Sequence, residues 1–139
     1  MSANRGRLRI AVDCMGGDFA PLEIIKGTAQ ATGSGDLEVL LVGEMDLVES
    51  MLKKESYDPE LISIVNSEGA IQETESPVNA LRQRPNASIA VLVGLVKNGY
   101  ADACVTMGST GAAVAASTLG FGLIPGVERP ALAGPVIGF

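Results

Sequence analysis

Residues 100–118 read YADACVTMGSTGAAVAAST, and the rest of the chain is interpreted outward from them. Ala101-Asp102-Ala103-Cys104-Val105-Thr106 is short, apolar and β-branched toward its end, the composition of a buried strand. Met107-Gly108-Ser109-Thr110-Gly111 then sets two hydroxyls between glycines, and small helix-compatible residues follow over 112–118. A strand that passes into a helix through such a loop points backbone N–H groups and hydroxyls at one spot, which suits an anion. The small alanines let the helix pack close to a sheet. The same residues also suit an ordinary strand-to-helix turn with a Ser or Thr N-cap. The loop alone leaves both readings open.

Upstream the alternation repeats. Residues 8–13 (LRIAVD) predict a strand ending in Asp13, followed by the loop Cys14-Met15-Gly16-Gly17-Asp18-Phe19-Ala20. Pro21 suits the first turn of the next helix, and Glu23 lies near its positive end. Ile24, Ile25, Thr28 and Ala29 give that helix an apolar face, and Gly33-Ser34-Gly35 stops it. A second strand is expected over 37–43 and a third over 61–65. Between them, 44–54 is amphipathic, with Leu47, Val48, Met51 and Leu52 facing inward. Residues 87–96 are apolar nearly all round, as in a helix buried on several faces, and Lys97-Asn98-Gly99 ends it. Downstream, 131–139 reads as a last strand.

This order predicts an α/β fold of three layers, a mostly parallel sheet with helices on both faces, in one domain over residues 1–139. A parallel sheet needs cover on both sides. The chain stops on the apolar Gly134-Pro135-Val136-Ile137-Gly138-Phe139, so the sheet is expected to be incomplete, as part of something longer or completed by a partner.

Composition narrows the function classes. The 139 residues are 47% hydrophobic and 19% charged, which is globular rather than disordered. A net charge of −6 with no Lys/Arg cluster argues against nucleic acid as the main partner. There is no histidine and there are two distant cysteines, Cys14 and Cys104, so no metal site is expected and the thiols read as buried side chains. No secretory signal is visible at the polar start, and no apolar run reaches the ~18–20 residues of a spanning helix. The expected compartment is the cytoplasm.

Candidate chemistry falls in three further places. Asp13 and Asp18 flank a Gly-Gly turn at a strand's carboxyl end, where open α/β sheets bind ligands; they could hold a metal, orient a neighbouring donor or cap a helix. Residues 67–85 form a polar insertion with Glu68, Glu73, Glu75, Arg82 and Arg84, in which Ser76 and Pro77 can cap and begin a short helix. Arg82 and Arg84 could grip a phosphate or carboxylate, or belong to a solvated loop with surface ion pairs; both readings stay open for Arg82, and the second suits Arg84 better. Arg129 offers another guanidinium near the end.

Four stretches together resemble one family. Arg9–Pro21 (RIAVDCMGGDFAP), Glu75–Arg82 (ESPVNALR), Ala101–Ala113 (ADACVTMGSTGAA) and Arg129–Leu132 (RPAL) are similar, in order, to segments of the bacterial phosphate acyltransferases of phospholipid synthesis. Those enzymes are more than twice as long, so the resemblance covers their amino-terminal part. It implies a fold like that of isopropylmalate dehydrogenases and phosphotransacetylases. It implies transfer of a fatty acyl group from acyl carrier protein to inorganic phosphate, giving acyl-phosphate without a cofactor. It also implies a homodimer, peripheral association with the inner face of the membrane, and delivery of product to a membrane-bound glycerol-3-phosphate acyltransferase. Residue by residue, it implies catalytic roles for Asp13, Asp18 and Arg82. It implies phosphate or substrate contacts for Gly16, Gly17, Glu75, Ser76, Gly108, Ser109, Thr110, Gly111 and Arg129.

Two positions depart from the family pattern. Phe19 stands where the family has histidine, which removes a donor, and Ser109 stands where it has asparagine, which loses the amide N–H groups. Two alternatives to the implied activity remain: a phosphotransacetylase-like enzyme that uses coenzyme A thioesters, and a catalytically inactive fragment that binds phosphate or a partner.

Overall fold

Alternate residues of one strand divide the core in two. In the strand Leu37–Gly43, Val39 and Leu41 face one way into a cluster with Cys14, Ile25, Val48, Leu52 and Ile62, while Leu40 and Val42 face the other way against Ala11, Leu81, Leu92 and Val93. That two-residue period, apolar on both faces, places this strand inside a three-layer sandwich. The computed structural model describes residues 6–134.

The strands are β1 (Leu8–Asp13), β2 (Leu37–Gly43), β3 (Ile62–Asn66) and β4 (Ala103–Val105), all parallel in the order β3-β2-β1-β4. The helices are α1 (Leu22–Ala31), α2 (Met45–Leu52), α3 (Pro77–Gln83), α4 (Ser88–Lys97) and α5 (Thr110–Phe121). The cluster on one sheet face belongs to α1 and α2, and that on the other to α3, α4 and α5. The expected α/β class and the order of elements over residues 8–121 match this arrangement. Pro21 sits at the N-cap of α1, and a short 3-10 turn at Thr32–Ser34 ends the helix with Gly35 at φ 77°. There the left-handed backbone needs glycine.

Three expectations change in detail. The fourth strand, expected over 101–106, is shorter at both ends. Its start is pinned sideways: the Asp102 N–H donates to the Arg9 carbonyl at 2.8 Å, and its carboxylate accepts the Arg9 N–H at 2.9 Å and the guanidinium at 3.3 Å. Its end is lost because Thr106 turns its hydroxyl toward β1. Second, α5 packs on α4 through Ala112, Ala116 and Gly120, so its small residues serve a helix–helix approach and α4 covers the sheet. A Cβ on Gly120 would stand 2.3 Å from Val93 Cγ1. Third, the strand expected over 131–139 does not form over 131–134, which are irregular and exposed; residues 135–139 lie outside the described residues.

The chain leaves β1 toward β2 on one side, and β4 arrives on the other. The strand order therefore reverses between β1 and β4, and a crevice opens beyond their carboxyl ends. Both glycine loops singled out in the sequence, after Asp13 and after Thr106, begin there.

Candidate active site

Asp13 closes β1 and is buried, 2% exposed. One carboxylate oxygen accepts the Met15 N–H at 3.0 Å, and the other accepts the Thr106 hydroxyl at 2.8 Å. The Thr106 oxygen in turn accepts the Gly108 N–H at 3.1 Å. The carboxylate thus organises both loops. Glycine permits the contact: a Cβ on Gly16 would stand 2.6 Å from Asp13 Oδ2 and 2.9 Å from the Gly108 Cα and N. Gly17 has φ 111°, and a Cβ there would stand 3.1 Å from the Met107 carbonyl oxygen. Such a backbone strains any side chain beyond glycine.

Over this junction lies a polar pocket of about 110 Å³. Met15, Gly16, Gly17 and Asp18 form one wall, Met107, Gly108 and Ser109 a second, and Ala70, Ile71, Gln72 and Glu73 a third. Ser109 is the N-cap of α5, and its oxygen accepts the Ala112 N–H at 3.3 Å. The capping reading of this loop therefore holds for the oxygen, while the hydroxyl proton remains able to donate. The α5 N-terminus brings its positive end to the same wall. A smaller cavity of about 10 Å³ lies behind, sharing Gly16, Ala70, Ile71, Gly108 and Ser109 with the pocket and adding Asp13, Thr106 and Ser88. Among the described residues no three His, Cys, Asp or Glu side chains gather to hold a metal ion.

The remaining candidates stand elsewhere. One Glu75 oxygen accepts the Gln72 N–H at 2.7 Å and the other pairs with Arg84, whose guanidinium also donates to the Ala70 carbonyl at 3.1 Å. The Gln72 N–H first, and Arg84 second, hold the Glu75 carboxyl below its ordinary value. This pair clasps the loop that forms the third wall, in line with the ion-pair reading that the sequence favours for Arg84. Ser76 occupies the N-cap position of α3 without a capping hydrogen bond from its side chain, and Pro77 starts the helix as expected. Ser76, Thr110 and Gly111 line an apolar groove of about 530 Å³ between α3, α5 and residues 130–132. Arg82 is exposed beside a second apolar groove, of about 280 Å³, between α3, α4 and α5. Arg129 is exposed in the irregular stretch after α5. Neither arginine lines the polar pocket, whose charged lining residues are Asp18 and Glu73. Phe19, at 76% exposure, turns to solvent.

Both cysteines are free thiols. Burial, reinforced by Asp13, pushes Cys14 up to about 12, and burial also raises the half-buried Cys104. Neither supplies a thiolate near neutral pH. Two site-forming residues escaped the sequence reading: Thr106 and Ser88. Thr106 is placed by the sheet: β4 pairs with β1 in a register that sets Val12 opposite Val105 and so brings Thr106 level with Asp13, and no local feature of the sequence gives that register.

Parallel strands, paired glycine loops and a capped helix N-terminus meeting at a strand-order reversal define an α/β protein with a crevice where this class of fold binds its ligands. Comparison with known proteins narrows the class. The chain belongs to the family described as fatty acid synthesis protein, whose model matches residues 8–136. It is 48% identical over 128 residues to the phosphate acyltransferase of Acaryochloris marina, covering 92% of this chain and 37% of that protein. To the phosphate acyltransferase of Heliobacterium modesticaldum it is 49% identical over 127 residues, 91% of this chain and 38% of that protein. To that of Clostridium kluyveri it is 44% identical over 124 residues, 89% and 37% of the two chains. The chain therefore spans little more than a third of the length of these relatives. No helix among the described residues is long and apolar enough to cross a membrane.

Proposed function

We propose that this chain is the amino-terminal part of a phosphate acyltransferase, and that its polar pocket holds the inorganic phosphate that attacks an acyl thioester. The observation that carries the reading is the junction of Gly16 with Gly108 beneath a pocket walled by Ser109 at the N-terminus of α5. In the reaction a phosphate oxygen adds to the thioester carbonyl, the tetrahedral oxyanion collapses, the C–S bond breaks, and the sulfur leaves as a thiolate that takes up a proton from solvent. No protein nucleophile is required, in keeping with two high-pKa thiols and no histidine. What the chain contributes is orientation and N–H donors.

In this reading Asp13 acts through other groups: both its oxygens are engaged, and it fixes the loops that carry Met15 and Gly108. Asp18, exposed on the pocket wall, accepts a proton from the attacking phosphate. Gly16, Gly17, Gly108 and Ser109 contact the anion. Glu75 shapes the third wall by its clasp with Arg84. Thr110, Gly111 and Ser76 flank the groove on the far side of the loop, where the apolar lining suits part of the acyl donor. Arg82 and Arg129 lie away from the pocket walls, so they serve this reading only at the entry of an anionic donor. The donor is acyl carrier protein, the product passes to a membrane-bound glycerol-3-phosphate acyltransferase, and the working form is a cytoplasmic homodimer that touches the membrane peripherally.

The test titrates inorganic phosphate into the chain and its Ser109→Ala variant by calorimetry, and assays acyl-phosphate formation with acyl-carrier-protein and acyl-coenzyme A thioesters. The expected result is phosphate binding weakened by Ser109→Ala, with turnover on the carrier-protein thioester. Unchanged affinity in the variant overturns the pocket assignment, and turnover on coenzyme A thioesters alone overturns the donor. One observation favours a second reading, a binding domain without transfer: the polar pocket has no Lys or Arg among its described walls. Phosphate binding with no acyl-phosphate from either donor would select it.

A further inference from the structure

Ser88 begins α4 and is 0% exposed, yet its hydroxyl finds no hydrogen-bond partner in the protein. A buried hydroxyl left this way is destabilising unless something else satisfies it. Its position suggests what does. Ser88 lines the small inner cavity together with Asp13, Thr106 and Ser109, immediately behind the polar pocket. The Ser88 N–H donates to the Gly69 carbonyl at 2.9 Å, which ties the start of α4 to the loop that supplies Ala70 and Ile71 to both spaces. The N-termini of α4 and α5, helices of 10 and 12 residues, therefore face one cavity from two sides. At about 10 Å³ it is at the lower limit for one water molecule. Its walls include three hydroxyls and a carboxylate, enough for the two to four polar partners such a water takes.

We propose that Ser88 is a positioning residue of the phosphate site, acting through a single water held in this inner cavity. The water satisfies the Ser88 hydroxyl, bonds to the Asp13–Thr106 pair, and braces Gly108 and Ser109 from behind at the spacing the anion needs. The proposal rests on the phosphate reading of the outer pocket. It differs from a purely architectural role in a measurable way. If the hydroxyl were simply unsatisfied, its removal would leave ligand affinity alone and raise stability.

The experiment measures phosphate affinity by calorimetry and the thermal unfolding midpoint for the chain and its Ser88→Ala variant, with a high-resolution crystal structure of the unsubstituted chain. Ser88→Ala is expected to weaken phosphate binding about fivefold, the equivalent of one neutral hydrogen bond, without raising the midpoint. The crystal structure is expected to show density in the cavity within hydrogen-bond distance of Ser88 Oγ. Unchanged affinity with a raised midpoint overturns the proposal, as does a Ser88 hydroxyl turned onto a backbone carbonyl beside a cavity without density. If the unsubstituted chain binds no phosphate, the outer-pocket reading fails separately. The density at Ser88 then decides whether the inner water exists.

Discussion

The β1–β4 junction and the loop between β3 and α3 build adjoining walls of one pocket by opposite means. At the junction, a buried carboxylate binds two loops, and glycine backbones meet where no side chain fits. In the other loop, a half-buried ion pair between Glu75 and Arg84 does the holding, with help from the Gln72 N–H and the Ala70 carbonyl. The first depends on shape and on satisfied buried polar groups, which tolerate almost no change. The second depends on charge that water still partly reaches, which salt weakens.

Substitutions can break or sharpen that contrast. Gly16→Ala should have the largest effect, since its Cβ would stand 2.6 Å from Asp13 Oδ2 and 2.9 Å from Gly108 backbone. Chemical denaturation should show a loss of about 3 kcal/mol, the scale of overpacking against backbone. Asp13→Ala should follow at about 2 kcal/mol by the same measurement, because it strands the Met15 N–H and the Thr106 hydroxyl. Thr106→Val keeps the shape and removes two hydrogen bonds; a loss of about 1.5 kcal/mol is expected. A loss as small as that of a surface residue at any of these three positions would dissolve the contrast.

Glu75→Gln should act locally, speeding amide exchange at Gln72 and its neighbours with little change in global stability. Its pH dependence has a definite sign. The folded carboxyl sits below its ordinary 4.5, so its contribution is present above that pH and fades as pH falls through the folded value. The exchange difference between wild type and Glu75→Gln should therefore shrink in acid. Arg82→Ala should move stability least, within about 0.5 kcal/mol, since the side chain is exposed and outside the pocket walls.

Residues close in sequence to a strand end were the ones whose place could be read. The period-two pattern of β2 and the glycine loops after Asp13 and Thr106 are local features, and they carried the α/β class and the element order, whereas the strand order decides that Gly16, Gly17, Asp18, Gly108 and Ser109 meet at one crevice. Arg82 and Arg129 were legible as charged groups but not as to where they face, because helix phase and chain exit decide that. Returning to the stretch 100–118, its strand, loop and helix were determined by its own residues. The tertiary structure alone decided that Thr106 belongs to Asp13, that the small residues of α5 seat it on α4, and that Ser88 stands behind the pocket. The physical reason is the crossover from β3 to β4: it reverses the strand order, brings together residues 93 positions apart, and leaves no trace in the sequence local to either.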